Sequence, residues 1–245
     1  MSTPLGELAR ANGLHLHDAA SPAEQARLMA DFVLEALARA LHERGHASLA
    51  VSGGRSPAAF FKRLNESELD WEEVTLTLAD ERWVPQDDPE SNAGLVQRSM
   101  PNVFARAHWV PLYRGLDPHK DAAAVSTDIE RLLPLDVLVL GVGADGHTAS
   151  LFPVGDHLLE NLRSDAPALC QAVPAADQRL PRLTLTGAVL QRARVRLLQV
   201  NGGEKQAVVA RAFNAEPREM PVAAFLQPPM DIFYAPNHEE PHEPG

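Results

Sequence analysis

Cysteine is almost absent: Cys170 is the single one in 245 residues. One thiol cannot close an internal disulfide, which excludes a disulfide-stapled fold and points to a reducing compartment, the cytoplasm. Lone cysteines usually fill core space, so no catalytic thiol is expected of it. Positive charge is also scarce. There are 22 Lys and Arg against 33 Asp and Glu, a formal net charge of −11. Such a chain repels phosphate backbones at long range, so nucleic acid is not an expected partner. A small anionic substrate stays compatible only where a few cations are concentrated in one cleft. No apolar run reaches the length of about 18 residues that a membrane helix needs, so no membrane partner is expected either. Residues 1–12 have neither the basic region nor the apolar core of a signal peptide. His238 and His242 sit in an acidic tail without cysteine or carboxylate spacing around them, and no metal site is expected.

What is present is 45 % hydrophobic residues, enough for a sizeable core. Neither an internal repeat nor a linker divides the chain. Residues 1–245 therefore read as one domain, with the proline- and acid-rich stretch 236–245 expected to be frayed. Ser21-Pro22-Ala23-Glu24 has the N-cap, first-turn proline and reciprocal glutamate of a helix start. Apolar residues then recur at helical spacing from Met29 to Leu41, and Gly45 is the stop. His15 and His17 alternate as strand residues do and are expected to reach solvent.

Beyond Gly45 strands and helices alternate. Ala47 to Val51, Val74 to Leu78, His108 to Leu112, Leu135 to Leu140 and Val195 to Val200 read as strands. Helices are expected from Ser56-Pro57 to Leu64, Ser91 to Met100, Ala122 to Leu132 and Glu204 to Phe213. Thr184 to Leu190 reads as helical or mixed, and 153–181 has the weakest pattern. Leu135 to Leu140 is almost wholly apolar, as a strand buried on both faces should be. This order predicts an α/β fold: a three-layer, Rossmann-like, mostly parallel sheet with helices on both faces.

In such a sheet ligands bind beyond the carboxyl ends of the strands. Four strand ends carry polar or glycine-rich loops, and a parallel sheet puts all four on one edge. In Ser52-Gly53-Gly54-Arg55-Ser56 the glycines allow backbone N–H groups close to an anion, and the next helix aims its positive N-terminus at the same point. Arg55 and Ser56 add side-chain donors, so this loop reads as a phosphate cradle. In the strand-end loop Asp80-Glu81-Arg82-Trp83, which could be a plain solvated turn, Arg82 is instead expected to face the cleft as a donor. Asp80 or Glu81 would hold it, and Trp83 would wall the pocket.

Gly141 to Pro153 is the most informative loop. Gly141, Gly143 and Gly146 satisfy G-x-G-x-x-G after a strand, which alone is a weak dinucleotide signal. Asp145 would repel a pyrophosphate there, and Pro153 comes too soon for the long first helix of such a site, so no nicotinamide cofactor is expected. Asp145 and His147 instead suggest proton transfer. Histidine has an unperturbed pKa near 6.5, and a carboxylate can orient its ring. Arg182 and Lys205 could join Arg55 in the local positive cluster that an acidic protein needs to hold a phosphate.

Ser52 to Pro57, Asp80-Glu81-Arg82-Trp83-Val84-Pro85, Ser91-Asn92 and Gly141 to Pro153, taken together, resemble the 6-phosphogluconolactonase family of the glucosamine-6-phosphate isomerase/6-phosphogluconolactonase superfamily. The likeness runs from the first helix to about Phe213, and Asp145 to Pro153 is its most specific part. The resemblance implies hydrolysis of 6-phospho-D-glucono-1,5-lactone, a small sugar-phosphate lactone, in the oxidative pentose phosphate pathway, with no metal or organic cofactor. It makes His147 the catalytic histidine with Arg82 beside it, and the chemistry of lactone hydrolysis suits His147 as general base, positioned by Asp145. Ser52, Gly53, Gly54, Arg55, Ser56, Arg182 and Lys205 would hold the phosphate, with Asn92 and Gly143 also in the binding site. Leu180 stands where the family often has a proline before the Arg182 segment. An amino-sugar-phosphate deaminase or isomerase would continue its glycine-histidine pair to a glutamate, where this chain has Thr148-Ala149-Ser150-Leu151-Phe152-Pro153. A non-catalytic sugar-phosphate sensor would not need Asp145, His147 and Arg82 together. The sequence sets no oligomeric state.

Overall fold

A computed structural model describes residues 4–54, 56–176 and 179–236. Arg55 and nearly all of the expected frayed tail, 236–245, lie outside them. The first elements are α1 (Pro4–Ala11), β1 (His15–Asp18), α2 (Pro22–Arg44), β2 (Ala47–Val51), α3 (Ala58–Asn65) and β3 (Val74–Leu78). Next come β4 (Asp80–Arg82), α4 (Asn92–Ser99), α5 (Pro101–Arg106), β5 (His108–Trp109), α6 (Pro118–Glu130) and β6 (Val137–Gly141). The chain continues with α7 (Leu158–Asn161), β7 (Cys170–Val173), β8 (Arg182–Leu185), α8 (Gly187–Leu190), β9 (Val195–Asn201), α9 (Gly202–Ala212) and β10 (Met230–Ala235).

The start and stop signals of α2 act as read. Ser21 Oγ accepts the Glu24 N–H at 3.2 Å. The Glu24 carboxylate returns to the Ala20 N–H at 2.8 Å, one residue further back than a reciprocal box requires. Gly45 takes φ = +75° and donates to the Leu41 carbonyl. The helix expected from Ala122 instead begins at Pro118, because Asp117 caps it by accepting the N–H groups of His119 and Lys120.

Seven strands form one sheet in the order β1-β10-β9-β6-β2-β3-β5, and every adjacent pair in it is parallel. Helices cover both faces. On β9 the buried Gln199 reaches Gln25 of α2, while the buried Arg196 reaches the Gln227 carbonyl, beyond the 3-10 turn of Pro221–Phe225. Strand residues three apart face opposite sides, so these contacts mark the two outer layers. Strands β2 and β6 are buried along almost their whole length, which is why they read as unbroken apolar runs.

A second sheet, β4-β8-β7, is antiparallel and sits beside the first. It corrects two readings. Asp80-Glu81-Arg82 is a strand, not a strand-end loop, and pairs with Thr184, Leu183 and Arg182 of β8. The segment expected to be helical or mixed splits at Thr186 into β8 and the short helix α8. Cys170 starts β7 fully buried, and burial pushes its thiol up to about 12. His17 does not simply reach solvent. Its ring stacks on Phe233 at 4.1 Å, and its Nε2 lies 2.8 Å from Asp231 Oδ1.

Candidate active site

Strands β9, β6, β2 and β3 are neighbours in the parallel sheet, so their carboxyl ends open on one edge. There they form a cleft of about 460 Å³. Ser52, Gly53, Gly54, Ser56, Arg82, Asn92, Gly143, His147, Arg182 and Lys205 all line it, as do Asp80 and Gln199. Asp145 stands behind His147 instead of in the wall. Arg55 falls outside the described residues.

The His147 loop is folded by its own polar groups. Thr148 Oγ1 donates to the Gly141 carbonyl at 2.8 Å. Gly143 N–H donates to the His147 carbonyl at 2.9 Å, and Gly146, at φ = +82°, donates back to Gly143 at 3.0 Å. One oxygen of Asp145 accepts the His147 backbone N–H at 3.1 Å and contacts its Nδ1 at 2.5 Å. An acceptor at Nδ1 places the ring proton there, so Nε2 is the nitrogen with a lone pair for chemistry. The Phe152 ring, 4.7 Å from the imidazole, backs it. Burial pushes the Asp145 carboxyl up, but the hydrogen bond and charge of His147 outweigh it and hold the group below its ordinary 3.8.

The Ser52 to Ser56 loop is braced from below. Gln199 Nε2 donates to the Ser56 carbonyl at 3.1 Å and to Gln25 Oε1 at 3.0 Å. Gln25 in turn donates to the Val200 and Phe233 carbonyls, tying the loop to β9 and β10. Gly53 is needed for close approach, since a β-carbon there would lie 1.9 Å from Asn92 Oδ1. Gly54 takes φ = +99°. The Ser52 hydroxyl has no protein partner among the described residues. Lys205, in the first turn of α9, closes the cleft from the β9 side.

The expected roles around Arg82 are redistributed. Glu81 does not hold its guanidinium. The Glu81 carboxylate accepts the backbone N–H groups of Arg82, Asn92 and Ala93 at 2.7–2.8 Å and the Ser91 hydroxyl at 3.1 Å. It thereby caps α4 and fixes Asn92, whose Nδ2 donates to the Asp80 carbonyl at 2.9 Å. Burial pushes the Glu81 carboxyl up, and the four donors pull it back in part. Arg82 is held by Glu90 instead, through its carbonyl and through its carboxylate at 3.6 Å. Asp80 pairs with Arg182 at 3.6 Å. Trp83 is not in the cleft wall. Its indole N–H donates to Asp121 at 2.9 Å.

Burial pushes the Arg182 guanidinium's pKa down, Asp80 raises it, and Arg82 and Arg179 lower it again. An arginine remains a cation through such a shift, so three arginines crowd one rim of an acidic protein. That is the concentrated positive charge that its composition demands.

A model of the family described as glucosamine-6-phosphate isomerases/6-phosphogluconolactonase matches residues 20–233. The chain belongs to this family. A protein of Pseudomonas aeruginosa named 6-phosphogluconolactonase is 44 % identical over 238 residues, covering 95 % of this chain and 99 % of its own. One of Rhizobium meliloti with the same name is 42 % identical, over 91 % of this chain and 99 % of its own. The crystal structure of a 6-phosphogluconolactonase from Shewanella baltica superposes with a TM-score of 0.82 at 32 % identity, covering 91 % of this chain and 97 % of that one.

Within this member of the glucosamine-6-phosphate isomerase/6-phosphogluconolactonase family, two polar residues escape sequence reasoning: Gln199, which lines the cleft, and Ser150, which touches Arg182. Gln199 had a signal, being a lone amide in the apolar run 195–200. Ser150 lies in the most specific motif, but nothing local gives its side chain a task. Asp80 was assigned to the wrong arginine, because its partner is 102 positions away on β8.

Proposed function

We propose that this chain hydrolyses 6-phospho-D-glucono-1,5-lactone to 6-phospho-D-gluconate, the lactone step of the oxidative pentose phosphate pathway. The observation that carries this reading is the Asp145–His147 pair at 2.5 Å, opening on a cleft that also holds the Ser52–Ser56 loop, Arg182 and Lys205. A proton-transfer group and a phosphate cradle share one wall. Relatives named 6-phosphogluconolactonase at 44 % and 42 % identity across nearly their full length support the same substrate.

The chemistry needs little more. A lactone is an activated ester, so water suffices as nucleophile once a base removes its proton. His147 Nε2 takes that proton while the water oxygen adds to C1. The resulting oxyanion is stabilised by Arg82 and by backbone N–H groups of the loop. Collapse breaks the C1–O5 bond, O5 takes the proton back from His147, and the new carboxylic acid loses its own proton to solvent. Asp145 keeps the imidazole in the tautomer this requires. Ser52, Gly53, Gly54, Ser56, Arg182 and Lys205 bind the phosphate, with Asn92 and Gly143 shaping the wall.

The same reading takes residues 1–245 as one domain working in the cytoplasm. No helix among the described residues is long and apolar enough to cross a membrane. The test is a coupled assay on freshly generated 6-phosphogluconolactone, corrected for spontaneous hydrolysis. Enzyme-dependent formation of 6-phosphogluconate is the expected result. Ammonia release from glucosamine 6-phosphate without lactonase activity would transfer the chain to the isomerase side of its family.

A further inference from the structure

We propose that Ser150 and Asp80 are positioning residues that aim Arg182 at the substrate phosphate and tie it to the loop carrying His147. The proposal rests on the lactonase reading above. Its observation is a relay of three side chains far apart in sequence. Arg182 Nη1 donates to Ser150 Oγ at 3.4 Å, and Ser150 Oγ lies 2.6 Å from Asp80 Oδ2. A hydroxyl has one hydrogen. Asp80 is an acceptor, so that hydrogen points to Asp80 and the oxygen's lone pairs turn to the guanidinium. Asp80 Oδ2 also lies 3.6 Å from the same Nη1, so the arginine is gripped at one end.

The relay is built into the fold. Ser150 is 1 % exposed and Asp80 6 %. Ser150 N–H donates to Thr184 Oγ1 at 3.2 Å, and Thr184 is the residue opposite Asp80 across the β4–β8 ladder. Ser150 follows His147 by three residues, so one short segment connects the proposed base to the phosphate arginine.

The grip has a physical purpose. A long arginine side chain held in one rotamer loses less freedom when it binds an anion than a free one does. Arg182 also faces Arg82 and Arg179, which repel it. Asp80 offsets that repulsion, and the hydrogen bond from the Ser150 hydroxyl holds the carboxylate in place to do so.

The test is a kinetic cycle on the full chain with Ser150→Ala, Arg182→Ala and the double variant. For Ser150→Ala we expect KM for 6-phosphogluconolactone to rise about tenfold, the scale of one lost charge-assisted hydrogen bond, with kcat changed less than about threefold. The inhibition constant of inorganic phosphate should rise by a similar factor. A merely structural disturbance of the loop would lower kcat and leave phosphate inhibition where it was. Added to Arg182→Ala, Ser150→Ala should change KM by less than about twofold, because its effect passes through that arginine. Ser150→Cys, of similar size and with a weaker donor, should recover part of the loss. Additive effects in the cycle, or a fall in kcat with unchanged phosphate inhibition, overturn the proposal. Should Ser150→Ala not fold, Asp80→Asn, which keeps the shape and removes the charge, enters the same cycle with the same expectations. Lack of lactonase activity in the wild-type chain would instead remove the functional reading itself, a result visible before any variant is made.

Discussion

A β-carbon on Gly143 would lie 2.1 Å from Cε1 and 2.2 Å from Nδ1 of His147. The bare Cα of Gly143 is therefore what lets the imidazole lie against its own loop and reach Asp145. Its φ is not in the left-handed region, so the demand is for space and not for backbone freedom. Gly143→Ala should displace the ring, break the Asp145 contact and lower kcat about a hundredfold or more, with little loss of stability. A kcat measurement beside a urea melt checks this, and normal turnover would contradict the ring's placement.

His147→Ala removes the proposed base outright. On the usual scale of acid–base catalysts, kcat should fall at least about a hundredfold with the fold intact. The side chain is 30 % exposed and packs on one face against the Phe152 ring, so its loss opens only a small space at the cleft edge. Near-normal turnover in this variant would eliminate His147 as the base.

Arg182→Ala and Lys205→Ala should act on binding instead. Each removes a cation from the cleft wall, and each should raise KM by about tenfold or more while kcat moves much less. The two reach the cleft from different elements, β8 and α9. A kcat loss with unchanged KM in either variant would refute its assignment to the phosphate.

The parts of the fold that were legible are those whose determinants are local. Ser21, Glu24 and Gly45 bracket α2, and the apolar runs at 47–51 and 74–78 coincide with β2 and β3. The parts that were not are defined by distant partners. Three charged residues, Asp80 to Arg82, become a strand only because β8 lies alongside, and nothing near them in sequence says so. Strand β10, with Ile232, Phe233 and Tyr234, was passed over because it is cut off from the alternating pattern by the proline-rich stretch before it. The cleft shows the same division. Gly53, Gly54, Gly143, His147 and Lys205 were legible by residue type and by their places after strands. The pairings of Asp80 with Arg182 and of Arg82 with Glu90 depend on the second sheet.

Asp145 carries its own pH signature. The His147 contact holds its carboxyl below 3.8 in the folded chain. A carboxyl held below its unfolded value stabilises the fold above that value and loses the contribution as pH falls through the folded one. Asp145→Asn abolishes that dependence. The stability gap between wild type and variant should therefore narrow as pH falls from about 5 through the ordinary carboxylate range and go on narrowing below it. Asp145 is about half exposed, which keeps the gap small. Denaturant titrations across that range decide the matter, and a gap that stays constant would mean the carboxylate does not stabilise the folded loop.

Glu81 is expected to matter for stability and binding together. It is 1 % exposed and accepts three backbone N–H groups and one hydroxyl. Glu81→Ala leaves the Arg82, Asn92 and Ala93 N–H groups buried without an acceptor, at a cost of about 1–3 kcal/mol each before relaxation. Water entering the space left by the side chain will recover part of that, so a net loss of about 3–4 kcal/mol is expected in urea denaturation. The loss should not stop at stability. Ser91 still caps α4 through the Gly94 N–H, but with the Glu81 acceptor gone Asn92 shifts from the bare Cα of Gly53, against which it is packed, and the Ser52 to Ser56 loop loses a neighbour. KM should therefore rise in the fraction that stays folded. Glu81→Gln retains one acceptor oxygen but turns an NH₂ towards backbone N–H groups, so it should fall between wild type and alanine on both measurements. A glutamine variant worse than alanine would show that the site rejects the amide more strongly than it needs an acceptor.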